Sequence, residues 1–279
     1  MKRLVIIVGL AIGFIGFKDP GISEASQGGA QYKFGVVPQF EPRKLARIWI
    51  PILKEIEKET GIHLKMVGSP KIPEFEKSFI AGEFDFAYMN PYHAVLAQIE
   101  VGYTPLIRDG GRMLQGILVV RKNDPIQHVK QLDKEKVAYP APNALGASLL
   151  MRRELDDLFG VKTIPNYVQT HSSVYFNVLV GNVRAGGGVM GTFSQQKDSV
   201  KNQLRVIYRT KEIPPHPVVG HPRVPQEAMD KVKLAFLKLG NSPEGKKLLG
   251  GIPIKQVVPA SLEDYKPLTE WGLERYYQR

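Results

Sequence analysis

The stretch Ile80–Ala94, IAGEFDFAYMNPYHA, ends one helix, runs a strand and opens a second helix. Upstream, Phe75, Phe79 and Ile80 fall on one face of a helix expected over Ile72–Ala81, and Gly82 is the residue type that stops helices. Phe84–Tyr88 then reads as a strand and Pro91–Val101 as a helix with Pro near its start. A shorter segment, Leu179–Gly186 (LVGNVRAG), follows the same order: apolar helix end, Gly, polar residue, apolar residue, charge, strand. The echo is either a repeated βαβ plan or a chance match of short segments.

The alternation extends outward in both directions. Tyr32–Val37 (YKFGVV) is a strand closed by Pro38. Pro42–Thr60 is an amphipathic helix with Ile48, Ile52 and Ile56 on one face and Gly61 behind it, and His63–Val67 is a strand. Beyond the opening stretch, Leu114–Arg121 (LQGILVVR) is a strongly apolar strand followed by the turn residues Asn123-Asp124-Pro125. A second alternation follows: strands at Val137–Tyr139, Tyr167–Gln169, Gly187–Met190 and Leu204–Tyr208, with helices at Ala144–Phe159 and Ser172–Val180. A Pro-rich stretch, Pro214–Pro225, precedes helices near Gln226–Leu239 and Pro243–Leu249. Strands alternating with helices predict mostly parallel sheets covered by helices and joined by right-handed crossovers.

Composition narrows the function. With 279 residues, 43% hydrophobic and 23% charged, the chain is an ordinary globular one and not a disordered, collagenous or coiled-coil one. It has no Cys, which excludes a disulfide scaffold, a thiolate zinc site and a cysteine nucleophile. The net charge of +11 suits acidic partners: nucleic acid, anionic membrane or small anions. Met1-Lys2-Arg3 followed by the apolar run Leu4–Phe17 is too short to span a bilayer. Ser23-Glu24-Ala25 places small residues where a signal peptidase reads, and Gly28-Gly29-Ala30 offers a second position. Residues 1–25 are therefore expected to be a cleaved export signal, with an uncleaved anchor as the alternative, and the mature chain keeps +10 of the charge.

Six stretches together resemble a known family: FGVVPQ (Phe34–Gln39), ETG (Glu59–Gly61), GEFDFAYMNPYHA (Gly82–Ala94), GILVVRKNDPI (Gly116–Ile126), YPAPNALGASLL (Tyr139–Leu150) and THSSVYFNVLVGNVRAGG (Thr170–Gly187). In their order and spacing they are similar to the phosphate/phosphite/phosphonate-type substrate-binding proteins of ABC importers. The resemblance implies an α/β, two-lobe, type II periplasmic binding protein with a two-strand hinge. One lobe would comprise 31–115 plus 209–279 and the other 120–205, with Ile117–Arg121 and Val206–Tyr208 as the hinge strands. It also implies a periplasmic, non-catalytic protein that binds a small anion in the cleft by hinge closure. Its partner would be a membrane permease. A monomer is expected, with no cofactor, metal or nucleic acid.

Several residues are candidates for the ligand. Asn143-Ala144-Leu145-Gly146 opens a helix, where backbone N–H groups and the helix dipole attract an anion; Asn143 is equally readable as a plain N-cap. Phosphonate binders of the family resemble Ser-Thr-Ser-Gly here, so the hydroxyl grip is missing from this chain. His171 matches a family histidine, and His171-Ser172-Ser173 again joins a strand to a helix start; an N-cap Ser beside a half-buried His is the alternative. Arg184 stands where the family usually has Asp, and reads best as a solvated group. Asn90 and Tyr92 follow a strand's carboxyl end, Gln39 follows another, and open α/β sheets bind ligands at such ends.

Other signals are weaker. Gly186–Gly191 (GGGVMG) fits G-x-G-x-x-G, but the glycines begin a strand after a helix, the reverse of a dinucleotide site; close approach of a backbone or ligand explains them better. His216 and His221 lie in Pro-rich coil without helical metal-ligand spacing. Two other roles stay open: a ligand-sensing partner of a membrane receptor on the same fold, and a secreted hydrolase, for which no nucleophile–base set is visible.

Overall fold

The computed structural model describes residues 31–252 and 254–278. The expected export signal, with both cleavage positions, lies outside the described residues. The chain begins β1 (Gln31–Val36), α1 (Pro42–Thr60), β2 (His63–Gly68), α2 (Ile72–Ile80), β3 (Phe86–Tyr88), α3 (Pro91–Val101) and β4 (Thr104–Asp109). It then passes to β5 (Leu114–Arg121), β6 (Lys136–Tyr139), α4 (Leu150–Phe159), β7 (Ile164–Tyr167), α5 (His171–Leu179), β8 (Ala185–Val189), α6 (Met190–Ser194), α7 (Asp198–Lys201) and β9 (Leu204–Ile213). It returns as β10 (Val218–Gly220), α8 (Gln226–Asn241), α9 (Pro243–Leu249) and β11 (Val257–Pro259), and ends in short 3-10 turns. Among the described residues no helix is long and apolar enough to cross a membrane.

Two sheets result, one in each lobe. The first has six strands in the order β11-β4-β10-β3-β1-β2, and the second has five in the order β7-β6-β8-β5-β9. Both sheets are mixed, which corrects the expectation of mostly parallel pairing. The βαβ units give parallel pairs, β1 with β2 and β3, and β6 with β7 and β8. Strands that enter from the other lobe or from the C-terminal part run the opposite way: β10 and β11 in the first sheet, β5 against β8 in the second. They arrive from the opposite end of the sheet, so antiparallel pairing is what their direction allows.

The chain changes sheet at 110–113 and again at 214–217. Ile117–Arg121 and Val206–Tyr208 lie beyond these passages, inside the second sheet, where Leu118 faces Tyr208 and Val119 faces Val206. The two segments expected to form the hinge thus pair with each other within the second sheet, and the passages between sheets lie at the ends of these strands that face the first sheet. The Ile80 and Leu179 stretches are matched in three dimensions. Each helix ends before a glycine of left-handed backbone, Gly82 at φ +68° and Gly181 at φ +81°, and each leads into a strand paired parallel to an earlier one.

Packing follows the sequence pattern. α1 buries Leu45, Trp49, Ile52, Leu53 and Ile56, and Gly61 ends it at φ +70°. The Trp49 ring lies 4.8 Å from Tyr88 and 5.2 Å from Phe34, which couples α1 to the adjacent strands β3 and β1 of the first sheet. The first-lobe core does not stop at its own sheet. Ala144, Leu145, Ala147 and Val189 of the second lobe belong to the same apolar cluster as Val36, Tyr88 and Ile107. The two lobes thus meet face to face in this structure.

Candidate functional site

The lobes meet around a small void of about 20 Å³. Val37 and Gln39 after β1, and Asn90 after β3, supply its first-lobe wall. Ala144 to Ala147 and His171 supply its second-lobe wall, and Leu114 and His216 close it where the chain crosses between lobes. Gln39, Asn90, Ala144, Leu145, Gly146 and His171 are thereby brought together from four separate places in the chain.

The helix start on this wall differs from an ordinary one. Leu145–Leu149 forms a π turn before α4, with Leu149 N–H donating to Ala144 O at 3.1 Å. The first intrahelical bond comes from Ser148 N–H to Ala144 O at 2.7 Å, so the N–H groups of Leu145, Gly146 and Ala147 precede the ladder. Glycines let this turn sit deep between strands. A Cβ on Gly116 would stand 2.2 Å from Gly146 O, and one on Gly187 would stand 2.0 Å from Ala147 O. The glycine run of β8 therefore serves backbone approach, as its sequence suggested.

Polar groups across the seam are linked. His171 N–H donates to Gln39 O at 3.4 Å, and Asn90 Nδ2 donates to Asn143 O at 3.3 Å. Gln39 Nε2 lies 3.2 Å from His216 Nε2; an amide nitrogen can only donate, so the ring nitrogen accepts and neutral His216 carries its proton on Nδ1. His171 Nδ1 is 3.2 Å from Thr192 Oγ1. Burial lowers the pKa of both His171 and His216 to about 3, with His171 and His93 adding a smaller push to His216. Both rings are neutral at physiological pH.

Four candidate side chains lie elsewhere. The Asn143 side chain turns from the void: Nδ2 donates to Glu76 Oε2 at 3.0 Å and to Gln278 O, and Oδ1 accepts from Gln278 N–H at 2.9 Å. It is not the helix cap, because Ala144 occupies that position and no side chain caps the turn. Tyr92 packs edge-on against Tyr277 at 5.8 Å in a separate groove. α5 starts one residue earlier than expected, with Thr170 as its N-cap accepting from Ser173 N–H. Ser173 Oγ consequently pairs with Thr170 Oγ1 at 2.9 Å, and Ser172 Oγ receives Gln196 Nε2 at 3.5 Å; neither residue lines the void. Arg184 pairs with Asp124 and Glu135, at 3.2 and 3.5 Å, as a partly solvated group.

His216 is the polar wall residue that was not among the sequence's ligand candidates. The signal was available: once β9 belongs to one lobe and α8 to the other, the Pro-rich link between them must cross the cleft. Among the described residues no cluster of His, Asp or Glu is arranged to hold a metal ion.

Two α/β lobes, joined by two crossings and facing each other across a polar seam, have the architecture of a type II periplasmic binding protein. The sequence pattern of the family described as "ABC transporter, phosphonate, periplasmic substrate-binding protein" matches residues 34–265, and the chain belongs to that family. It is 20% identical over 230 residues to the phosphonates-binding periplasmic protein of Escherichia coli, covering 77% of this chain and 68% of that one. It is 24% identical over 226 residues to the phosphate-import protein PhnD of Mycolicibacterium smegmatis, covering 74% and 70%. In fold it is similar to PhnD1 of Prochlorococcus marinus, solved in complex with methylphosphonate, with a TM-score of 0.79 at 18% identity over 88% of this chain and 98% of that one. Members of the family are transport binding proteins rather than enzymes.

Proposed function

We propose that this chain captures a small phosphorus oxyanion or organophosphonate between its lobes and delivers it to the membrane permease of an ABC importer. It is exported by residues 1–25 and acts as a periplasmic monomer. Residues 31–109 plus 218–278 move against 114–213, and the crossings at 110–113 and 214–217 are the hinge.

One observation carries the choice of an anion. The wall of the small void offers the N–H groups at the start of the Leu145 turn, and among the described residues lining it there is no carboxylate. Backbone donors at a helix start favour negative charge, and their pull is strengthened where water is excluded. A cationic or amino-acid ligand would want an acid on this wall. The two neutral histidines and the Gln39 and Asn90 amides supply further polar contact without fixed charge. A void of 20 Å³ holds about one water. Capture therefore requires the lobes to part and re-close around the ligand, which gives the permease a closed state to recognise.

The test is a thermal-shift screen with phosphate, phosphite, methylphosphonate and a sulfonate against neutral and cationic solutes. A phosphorus oxyanion at about a hundred times its Kd should raise Tm by roughly 5 °C or more. Shifts from neutral or cationic solutes alone would refute the anion reading.

A further inference from the structure

A second void adjoins the first. It measures about 190 Å³, and Leu114 and His216 wall both spaces. Its other apolar walls are Tyr88 and Ile254 of the first lobe, Met190 of the second, and Met113 and Pro215 of the two crossings. The Tyr88 and His216 rings stack 5.3 Å apart, with 25° between their planes. An apolar cavity of about 150 Å³ is enough to accept benzene.

The polar side chains on this wall are engaged with the protein itself. The two charged ones, Asp109 and Arg112, face each other, with Arg112 Nε 3.3 Å from Asp109 Oδ2. Oδ2 has this ion pair and no hydrogen bond, and it is sealed from solvent. Asp109 Oδ1 accepts backbone N–H groups from Gly111, Lys255 and Gln256, at 2.9, 3.1 and 3.0 Å. Gln115 Nε2 donates to Thr210 O at 3.2 Å, and its Oε1 accepts from Arg209 Nη1 at 3.3 Å. Ser194 Oγ donates to Gly191 O at 3.0 Å, and His216 Nε2 is taken by Gln39. A charged guest group entering here loses its hydration and must compete with these bonds for a partner. An apolar group competes with none of them and gains by leaving water. Met113 and Met190 add flexible thioether walls that fit themselves to an irregular guest.

We propose that the larger void receives the organic substituent of the ligand, and that the chain favours phosphonates carrying an apolar group of about three to six carbons, alkyl or aryl. The phosphonate sits at the Leu145 turn, and the substituent passes Leu114 and His216 into the second space. The proposal rests on the preceding reading of the first void as the phosphonate end. A methyl substituent leaves most of the second space to water. An ammonium finds the Asp109 carboxylate already facing a guanidinium.

Isothermal titration of the full chain with methyl-, n-propyl-, n-butyl- and phenylphosphonate and with 2-aminoethylphosphonate decides it. At least one of the butyl and phenyl compounds should bind about tenfold or more tightly than methylphosphonate, the scale of burying a few methylene groups. Its binding should also carry the more negative heat-capacity change that marks apolar burial. Ser194→Leu takes up part of the space and Met113→Ser removes apolar wall. Each should shrink the advantage and leave the methylphosphonate Kd within about twofold. A series that is flat or falls with size, a 2-aminoethyl compound that binds tightest, or an advantage of undiminished size in both variants would each overturn the subsite while leaving the phosphonate reading intact. Silence from all five compounds would overturn both. The comparison across ligands in the unsubstituted protein is decisive even if a variant fails to fold.

Discussion

His171 and His216 show how a residue's neighbourhood decides its chemistry. Both are ordinary titratable groups in the unfolded chain and both are held neutral by burial in the fold, with pKa values near 3. Between pH of about 6.5 and 3 the unfolded chain therefore binds protons that the folded chain refuses. The stability these rings contribute is complete above that window and is lost as pH falls through it. Tm should drop as pH is lowered from 7 to 4, and His216→Gln, which keeps a partner for the Gln39 amide, should flatten the profile. Parallel profiles for the two proteins would show that His216 is not a buried neutral ring. Residue-scale legibility was limited by side-chain direction. Gln39, Asn90, Ala144, Leu145, Gly146 and His171 line the void because the sites at which strands end and helices begin were readable. Asn143 and Ser172 sit one residue from such wall residues; successive side chains on a helix point about 100° apart, which turns Ser172 away, and Asn143 lies in the turn before the Leu145 segment with its side chain bonded to Glu76 and Gln278. Moving a cap by two positions, from Ser172 to Thr170, is enough to turn a candidate away.

At the scale of elements, the site depends on how deeply the Leu145 turn can sink between β5 and β8. The glycines of those strands set that depth. Gly187→Ala would bring a methyl group to 2.0 Å from Ala147 O and 2.6 Å from the Tyr139 ring, so the turn must shift outward. Overpacking of this kind costs about 1–3 kcal/mol, and the same shift moves the N–H donors off the ligand. Urea denaturation and titration with methylphosphonate should both record the loss; a variant with native midpoint and native Kd would show that the turn does not depend on this contact. The glycine run declared its purpose in the sequence because three small residues in a strand pack nothing of their own. The π turn did not, since Ala144–Phe159 has an unbroken helical pattern and the wide first turn arises from contacts with Gly116 and Gly187. β10 was equally hidden. Val218–Gly220 is three residues long, follows a Pro-rich link, and becomes a strand because β3 and β4 lie on either side of it.

At the scale of the molecule, apart from β4 the alternation of strands and helices was legible, because each βαβ unit announces itself locally. The C-terminal segment was not: it has no periodic run and draws its structure from distant partners. Leu273 is buried in the first-lobe core, while the residues after it grip α4 of the second lobe. Arg275 pairs with Asp157 at 2.9 Å, Tyr276 Oη donates to Asp156 Oδ2 at 2.9 Å, and Arg152 donates to Tyr276 O at 2.9 Å. Gln278 is tied to Asn143, and Tyr277 lies on Tyr92 of the first lobe. These bonds form a strap across the seam, and they exist when the lobes are together. The exposed Arg275 pair adds little, but each of the hydrogen bonds contributes about 1 kcal/mol to the closed arrangement. Ending the chain at Glu274 should therefore shift the population toward the open form. Apparent affinity falls by the same factor as the binding-competent fraction, so the shortened protein should show a larger radius of gyration in X-ray scattering without added ligand, and a higher Kd for methylphosphonate. Unchanged dimensions together with an unchanged Kd would mean that the segment merely lies on α4 and that the lobes close without it.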